Sequence, residues 1–195
     1  RWRPDSGLLI SDSMILARRQ LLTQFGLAVA TVGCADDPAA NEPGASQPDF
    51  KLRDFQPASP RFGETYGLDE FRGSVLLMPL YAGWCDTCIG CANILNDVYK
   101  EWQAEGLNVR VAAINPINAL PHQKYLVEVC DYPLFQDTEE ARAWDTLLGT
   151  RDDTYFYDAK GVLSGVSDFK ADLNEMIVTQ AGQALFRKAI IEAGG

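Results

Sequence analysis

The feature that most constrains this chain is an apolar stretch that leads directly into two closely spaced cysteines. Residues 75–80 are apolar and predict a buried strand, and Ala82-Gly83 predicts a tight corner. Cys85 and Cys88 then open a helical pattern. At the start of a helix, free N–H groups and the positive end of the helix dipole favour a thiolate. The stretch therefore predicts a strand, a corner, and a helix with a reactive sulfur at its first residues.

Strands and helices are predicted to alternate along the rest of the chain, which favours an α/β fold. Strands are predicted at residues 50–55, 108–114 and 134–135, and a hairpin at 154–157 and 162–167. Helical segments are predicted at 68–73, from Cys88 to a stop at Gly106, at 123–129, at 139–148 between Thr138 and Gly149, and from Asp172 onward. The first long strand, helix and second strand form a unit that is parallel and right-handed by rule.

The order of strand, Trp84-Cys85-Asp86-Thr87-Cys88 and helix resembles that of the thioredoxin-like superfamily. The resemblance implies a thioredoxin fold, with a central mixed sheet flanked by helices on both faces. Cys85 is the predicted attacking thiolate and Cys88 the predicted resolving thiol, with Trp84 as an auxiliary residue. The implied substrate is a protein or small-molecule disulfide or a peroxide, restored by an external thiol reductant. No cofactor is implied, because the sulfurs perform the chemistry.

A narrower resemblance covers about residues 74–165. The series Pro133-Leu134-Phe135-Gln136, then Trp144 to Gly149, Arg151-Asp152-Asp153 and Tyr157-Asp158 is similar to the N-terminal domain of selenoprotein P. In that domain the redox pair is selenocysteine-X-X-Cys, so Cys85 would stand at the selenocysteine position. The family's selenocysteine-rich tail has no counterpart here, and selenium transport is not implied.

The chain departs from the thioredoxin pattern before the predicted hairpin. Thioredoxins usually carry a cis-proline there, but Asp153-Thr154 occupies the position. One interpretation makes Asp153 a proton acceptor beside the thiols, with Thr154 as its neighbour. The other makes Asp153 an aspartate that caps the turn at the hairpin entry. The loss of the proline argues against a general protein disulfide reductase.

Other potential ligands leave two alternative functions open. Cys91 extends the pair to Cys-X-X-Cys-X-X-Cys, and His122 is the single histidine, so a copper-type metal-binding protein is the first alternative. The iron–sulfur run would need a further cysteine soon after Cys91, and none follows. A redox-inert binding module with a structural disulfide is the second alternative. For Cys91 a small buried residue is the simpler interpretation, with disulfide exchange as the alternative. Cys130 could be free or paired with Cys91, and no metal site is assigned.

The N-terminal part predicts export to the cell envelope. Residues 1–33 form a predicted signal segment, in which translation is expected to start at Met14. Arg18-Arg19 precede an apolar run, and this order resembles a twin-arginine export signal. Cys34 ends this run as the lipidated cysteine of a bacterial lipoprotein does, and residues 34–48 are polar and proline-rich, as in a flexible linker. The predicted thioredoxin-like domain covers residues 49–195. A periplasmic or envelope lipoprotein tethered to the membrane is the resulting expectation.

Charge excludes one class of partner. The formal net charge is −10 and the isoelectric point is about 4.5. Nucleic-acid binding needs a basic surface that neutralises phosphates, so nucleic acid is not an expected partner. The five cysteines are an odd number, so at least one is free, modified or paired between chains.

Lipidation of Cys34 makes a direct prediction. A Cys34→Ala variant expressed in a bacterial host should move from the membrane fraction to the soluble fraction, because it lacks the acylated sulfur. Cell fractionation and immunoblotting would measure this. An unchanged distribution between the fractions would contradict lipid anchoring.

Overall fold

The computed structural model describes residues 37–168 and 176–195. The predicted signal segment at residues 1–33 and the predicted lipidation site Cys34 lie outside the described residues. The predicted start of the closing helix, from Asp172, also lies outside them.

Eight strands and four α-helices make up the described part of the chain. The strands are β1 Lys51–Asp54, β2 Thr65–Gly67, β3 Val75–Pro79, β4 Val109–Val111, β5 Ala113–Asn115, β6 Leu134–Gln136, β7 Thr154–Tyr157 and β8 Leu163–Ser167. The helices are α1 Asp86–Ala104, α2 Gln123–Val127, α3 Ala143–Thr146 and α4 Gln180–Glu192, with 3₁₀ helices at Leu68–Phe71 and Ile117–His122. None of the described helices has both the length and the apolar character needed to cross a bilayer.

The strands form two mixed sheets of four strands each. Their orders are β2-β1-β6-β5 and β4-β3-β7-β8. The predicted strand 108–114 is interrupted at Ala112, and its halves β4 and β5 pair with different neighbours. A parallel bridge between Leu80 and Ile114 lies where the two sheets meet. The single central sheet expected from the sequence is therefore divided, although the predicted strand–helix–strand unit is present and its strands are parallel.

Alternate residues of β3 face two separate hydrophobic cores, as the pleat of a strand requires. Val75 and Leu77 belong to one core, and Leu76 and Met78 belong to the other. Leu95 of α1 and Phe186 and Ile190 of α4 complete the first core. Ala143 of α3 and Phe71 of a 3₁₀ helix complete the second. Helices cover both faces of β3, and this confirms the thioredoxin-like fold class.

The prediction of a helix over residues 139–148 was wrong in extent. The helix begins only at Ala143, because the Asp137 carboxylate accepts hydrogen bonds from the backbone N–H groups of Thr138, Ala143 and Trp144 at 2.8–3.1 Å. These bonds fold residues 138–142 into a loop ahead of the helix. The end of the helix also differs, because Leu148 and not Gly149 has the positive φ, at 56°.

The last residues of the predicted linker lie against β8. The N–H of Gly44 donates to the carbonyl of Leu163 at 2.8 Å, and the N–H of Gln47 donates to that of Gly161 at 2.9 Å. Leu163 in turn donates to the carbonyl of Ala45 at 2.8 Å, and only 4% of Ala45 is exposed. The packed part of the chain therefore begins before Asp49, the residue at which the sequence predicts that the domain starts.

Truncation tests this boundary. A chain of residues 49–195 should be less stable than a chain of residues 37–195 by about 1.5–4.5 kcal/mol, because it loses three backbone hydrogen bonds, each contributing about 0.5–1.5 kcal/mol. Urea unfolding of the two proteins would measure the difference in the free energy of unfolding. Equal stability would show that residues 37–48 contribute nothing to the domain.

Candidate active site

Cys85 is the N-cap residue of α1. Its backbone is extended, and its sulfur accepts a hydrogen bond of 3.3 Å from the backbone N–H of Cys88. An N-cap side chain ordinarily accepts such a bond through oxygen, and here the sulfur satisfies one of the free N–H groups of the first turn. The sequence-based placement of Cys85 at the start of a helix is confirmed. The residue is only 5% exposed, so access to its sulfur is narrower than the sequence suggests.

The corner before Cys85 is held by a buried amide. The side-chain oxygen of Asn115 accepts a 2.9 Å hydrogen bond from the backbone N–H of Gly83. A Cβ at Gly83 would collide with the backbone carbonyl of His122, so only glycine fits at this close approach. Both contacts fix the path of the chain into the first cysteine.

Asn115 is itself held by Gln136 on the neighbouring strand β6. The amide nitrogen of Asn115 donates to the side-chain oxygen of Gln136 at 2.7 Å, and the nitrogen of Gln136 donates to the carbonyl of Pro116 at 3.0 Å. Both residues are at most 8% exposed. The sequence analysis assigned no role to either. In the sequence, Gln136 is the last residue of the Pro-X-X-Gln segment. A glutamine directly after the predicted strand 134–135 is the signal that could have identified it.

The loop before β7 is fastened to the end of β3. The N–H of Leu80 donates to the carbonyl of Asp153 at 2.9 Å, and the N–H of Asp152 donates to the carbonyl of Leu80 at 2.8 Å. Asp152 has a left-handed backbone, with φ of 67°, a conformation that Asp and Asn adopt more readily than most residues. This arrangement brings the Asp152 side chain to the two cysteines.

Asp152 is the carboxylate beside the thiols. One of its oxygens and the sulfurs of Cys85 and Cys88 all lie within 4.8 Å of one another. Asp152 is only 8% exposed, and neither of its oxygens has a hydrogen-bond partner of ordinary geometry among the described residues. One of the two interpretations made from the sequence placed the adjacent Asp153 beside the thiols, and the structure places Asp152 there instead.

Asp153 caps the turn instead. Its carboxylate accepts hydrogen bonds from the backbone N–H of Thr150 at 2.6 Å and from the Thr150 hydroxyl at 3.2 Å. This is the second of the two interpretations made from the sequence. Thr154 is buried at the start of β7, where it pairs with Pro79 in the β-ladder. The loop does lie at the cysteines, as the cis-proline position does in the thioredoxin pattern, but its contact with them is made by Asp152.

Burial raises the pKa values of both partners of Cys85. The pKa of the Cys88 thiol is raised by burial first, then by its hydrogen bond with Cys85 and by the nearby Asp152. Burial also raises the pKa of the Asp152 carboxyl, against opposing effects from Cys88 and Arg151. Cys88 therefore holds its proton tightly, and it has a carboxyl group of increased basicity within reach.

The remaining candidate ligands are separate from this cluster. Burial raises the pKa of Cys91 to about 12 and that of Cys130 to about 12, and the Cys130 thiol donates to the carbonyl of Leu126 at 3.3 Å. His122 stacks on Tyr125, and its Nδ1 is buried without a hydrogen-bond partner in the described part of the chain. Neither Cys91 nor His122 joins Cys85 and Cys88 in the group of candidate ligands found there.

Trp84 lies on the surface next to the cysteine pair. Its ring is 43% exposed, and its indole N–H donates to the side-chain oxygen of Asn118 at 3.2 Å. Leu120 and Tyr125, from the following segment, are also large and exposed. Trp84 thus presents apolar surface to solvent directly before Cys85 in the chain.

Residues 43–166, which include the whole of this site, match the model of the AhpC/TSA family. The chain belongs to the AhpC/TSA family. A search of curated proteins gave no match.

Solved structures with this fold come from several bacteria. One from Chlorobium tepidum, described as the thiol:disulfide interchange protein DsbE, has a TM-score of 0.61 at 18% identity, over 79% of this chain and 99% of its own. A thioredoxin-family thiol:disulfide interchange protein from the same species has a TM-score of 0.56 at 20% identity, over 79% and 98%. A secreted thiol-disulfide isomerase from Corynebacterium glutamicum has a TM-score of 0.56 at 18% identity, over 76% and 86%. These likenesses show the fold.

The buried carboxyl group predicts a pH-dependent change in stability. Because burial raises the pKa of Asp152 above its unfolded value, the folded chain binds more protons than the unfolded chain between the two pKa values, and stability falls as pH rises through that interval. Asp152→Asn should therefore raise the melting temperature at pH 7, by about 2–4 °C per kcal/mol of relieved penalty. The gain should vanish below about pH 4.

Thermal unfolding of the reduced proteins in a metal chelator, across this pH range, would measure the effect. Asparagine is nearly isosteric with aspartate and also tolerates a left-handed backbone, so it removes the charge with little other change. A variant that is less stable at pH 7 would contradict the idea that the buried carboxylate is destabilising.

Proposed function

We propose that this protein is a thiol–disulfide oxidoreductase of the bacterial cell envelope. The observation that carries the proposal is the position of the Cys85 sulfur as the cap of α1, with the Cys88 thiol and the Asp152 carboxylate within 4.8 Å. A sulfur in this position accepts a hydrogen bond from the first turn of the helix and lies at the positive end of the helix dipole. The three groups supply a nucleophile, a resolving thiol and a proton acceptor.

The proposed reaction has two steps. In the first step the Cys85 thiolate attacks one sulfur of a substrate disulfide, and the other substrate sulfur leaves as a thiolate that takes a proton from water. In the second step Cys88 gives its proton to Asp152 and attacks the Cys85 sulfur, and the second substrate sulfur leaves as a thiolate that takes the proton from Asp152. The substrate gains two electrons and becomes a dithiol. The protein becomes a Cys85–Cys88 disulfide, which an external thiol reductant must return to the dithiol.

Asp152 serves the second step in this proposal. The raised pKa of Cys88 leaves little thiolate at neutral pH, so its attack needs a base. Asp152 is the carboxylate nearest to that thiol, and its oxygens have no competing hydrogen-bond partner of ordinary geometry in the described residues. Its own raised pKa makes it a better proton acceptor than an exposed aspartate.

Disulfides of particular protein partners are the substrates that we favour over peroxides, because the missing proline argues against a broad range of protein substrates. The 5% exposure of Cys85 and the exposed Trp84 beside it suit an extended segment that lies on the surface and presents one sulfur. Two of the solved structures with the same fold are described as thiol:disulfide interchange proteins. The proposed envelope location is supported by the signal-like segment at residues 1–33 and by the position of Cys34 at its end, where a lipoprotein carries its acylated cysteine. The proposed Cys-for-selenocysteine relation to selenoprotein P is supported by the Pro133 to Asp158 series.

Trapping of the mixed disulfide tests the proposal. When Cys88→Ala is mixed with an oxidised model protein, a covalent complex through Cys85 should accumulate, because the resolving thiol is absent. Cys85→Ala should form no complex. Cys91→Ala is the matched control on the same helix, and it should turn over without accumulating the complex. Non-reducing gels and mass spectrometry would identify the linked cysteine.

Two outcomes would contradict the proposal. If Cys88→Ala forms no complex and a Cys85–Cys88 disulfide in the wild type resists reduction by thioredoxin and glutathione, the chain is a redox-inert module. If the complex forms equally through Cys91, the assignment of the reactive sulfur is wrong.

A further inference from the structure

The buried site brings together three potential metal ligands. The sulfurs of Cys85 and Cys88 and a carboxylate oxygen of Asp152 lie within 4.8 Å of one another, and all three residues are buried. In a tetrahedral zinc site with Zn–S bonds of about 2.3 Å, two sulfurs are about 3.8 Å apart. Small side-chain rotations would therefore close these three atoms around one ion.

Asp152 provides an independent indication of a ligand. It is more than nine-tenths buried, its carboxylate is directed at the sulfurs, and among the residues described its oxygens have no hydrogen-bond partners other than the adjacent Cys88 thiol, which is itself one of the three ligands. A buried carboxylate normally has such partners or binds a metal ion, because leaving it without either costs free energy. Asp54 is a contrasting case in the same chain. Its buried carboxylate accepts bonds from Tyr66 and Ser59.

The chemistry of the donors selects the metal. Two thiolates favour soft or borderline ions such as zinc and copper(I), whereas a carboxylate favours harder ions. Zn²⁺ accepts both sulfur and oxygen, and three protein ligands leave one position for water or a substrate group. We infer that the reduced protein binds one Zn²⁺ through Cys85, Cys88 and Asp152. This set differs from the copper-type alternative raised from the sequence, which relied on Cys91 or His122.

Zinc binding and disulfide exchange would exclude each other at this site. A substrate disulfide that oxidises the pair takes two electrons, and the two sulfurs form a bond with each other and cease to be thiolates. The Zn²⁺ leaves without a change of oxidation state. Bound zinc would therefore protect the reduced pair from exchange, and oxidation would release the metal. The binding itself does not rest on the proposed function, because it requires only the reduced thiols.

Zinc titration of the reduced full-length chain tests the inference. Under anaerobic conditions, Zn²⁺ added in competition with a chromophoric chelator should bind at one ion per chain. The chain with a Cys85–Cys88 disulfide should not bind. Asp152→Asn should bind at least about tenfold more weakly, since removing a ligand from the site removes a bond that metal affinity depends on.

Two variants serve as matched controls. Cys91→Ala removes a cysteine of the same helix that lies outside the group of ligands, and Asp153→Asn removes the neighbouring carboxylate that caps the turn. Both should bind Zn²⁺ as the wild type does. Circular dichroism would establish that each variant is folded.

Alkylation of the wild type gives a second measurement that needs no variant. Stoichiometric Zn²⁺ should slow modification of Cys85 by iodoacetamide, as measured by mass spectrometry. Absence of one-to-one binding, equal binding by Asp152→Asn, or loss of binding in Cys91→Ala would overturn the inference. When the trapping experiment of the proposed function is performed in a metal chelator, failure of zinc binding and failure of disulfide exchange are separate results.

Discussion

The constraint on which the site depends is the burial of one carboxylate, that of Asp152, against the two thiols. An ionised carboxylate that leaves water loses hydration, and it persists in a protein only where the fold holds it or where a proton or a cation neutralises it. The backbone N–H of Asp152 is bonded to the carbonyl of Leu80, and its side chain faces the two sulfurs at the start of α1. It can accept a proton from Cys88 or share a metal ion with both cysteines. The two proposed properties therefore have a common physical origin.

The scaffold around this carboxylate is stiff because its strands are fixed on both sides. β3 pairs with β4 in parallel and with β7 in antiparallel orientation. The end of β3, the corner at Gly83 and the loop before β7 therefore lie next to one another. Asn115 and Gln136 add a buried amide network on the other sheet, which holds the N–H of Gly83. Preorganisation of this kind places a sulfur without using flexible side chains.

Much of the fold was predictable from the sequence because its signals are local. The apolar run of β3, the cysteines at the start of α1 and the turn at Asp158 to Gly161 each reflect a regular period or a turn residue. The carboxylate at the thiols was missed by one residue, because the left-handed backbone of Asp152 reverses which side chain of the Asp152-Asp153 pair turns inward. The long helix predicted at 139–148 failed because Asp137 binds backbone groups six and seven residues away. Such interactions leave no periodic signal.

The rate at which Cys88 closes the internal disulfide tests the central claim most directly. In a metal chelator, the reduced chain would be mixed rapidly with a chromophoric disulfide, and the decay of the Cys85 mixed disulfide followed for the wild type and Asp152→Asn. The account predicts slower decay in the variant by about 10²–10⁴-fold, the usual contribution of a positioned general base. Equal decay rates would contradict the assignment of Asp152 as the group that takes the proton from Cys88.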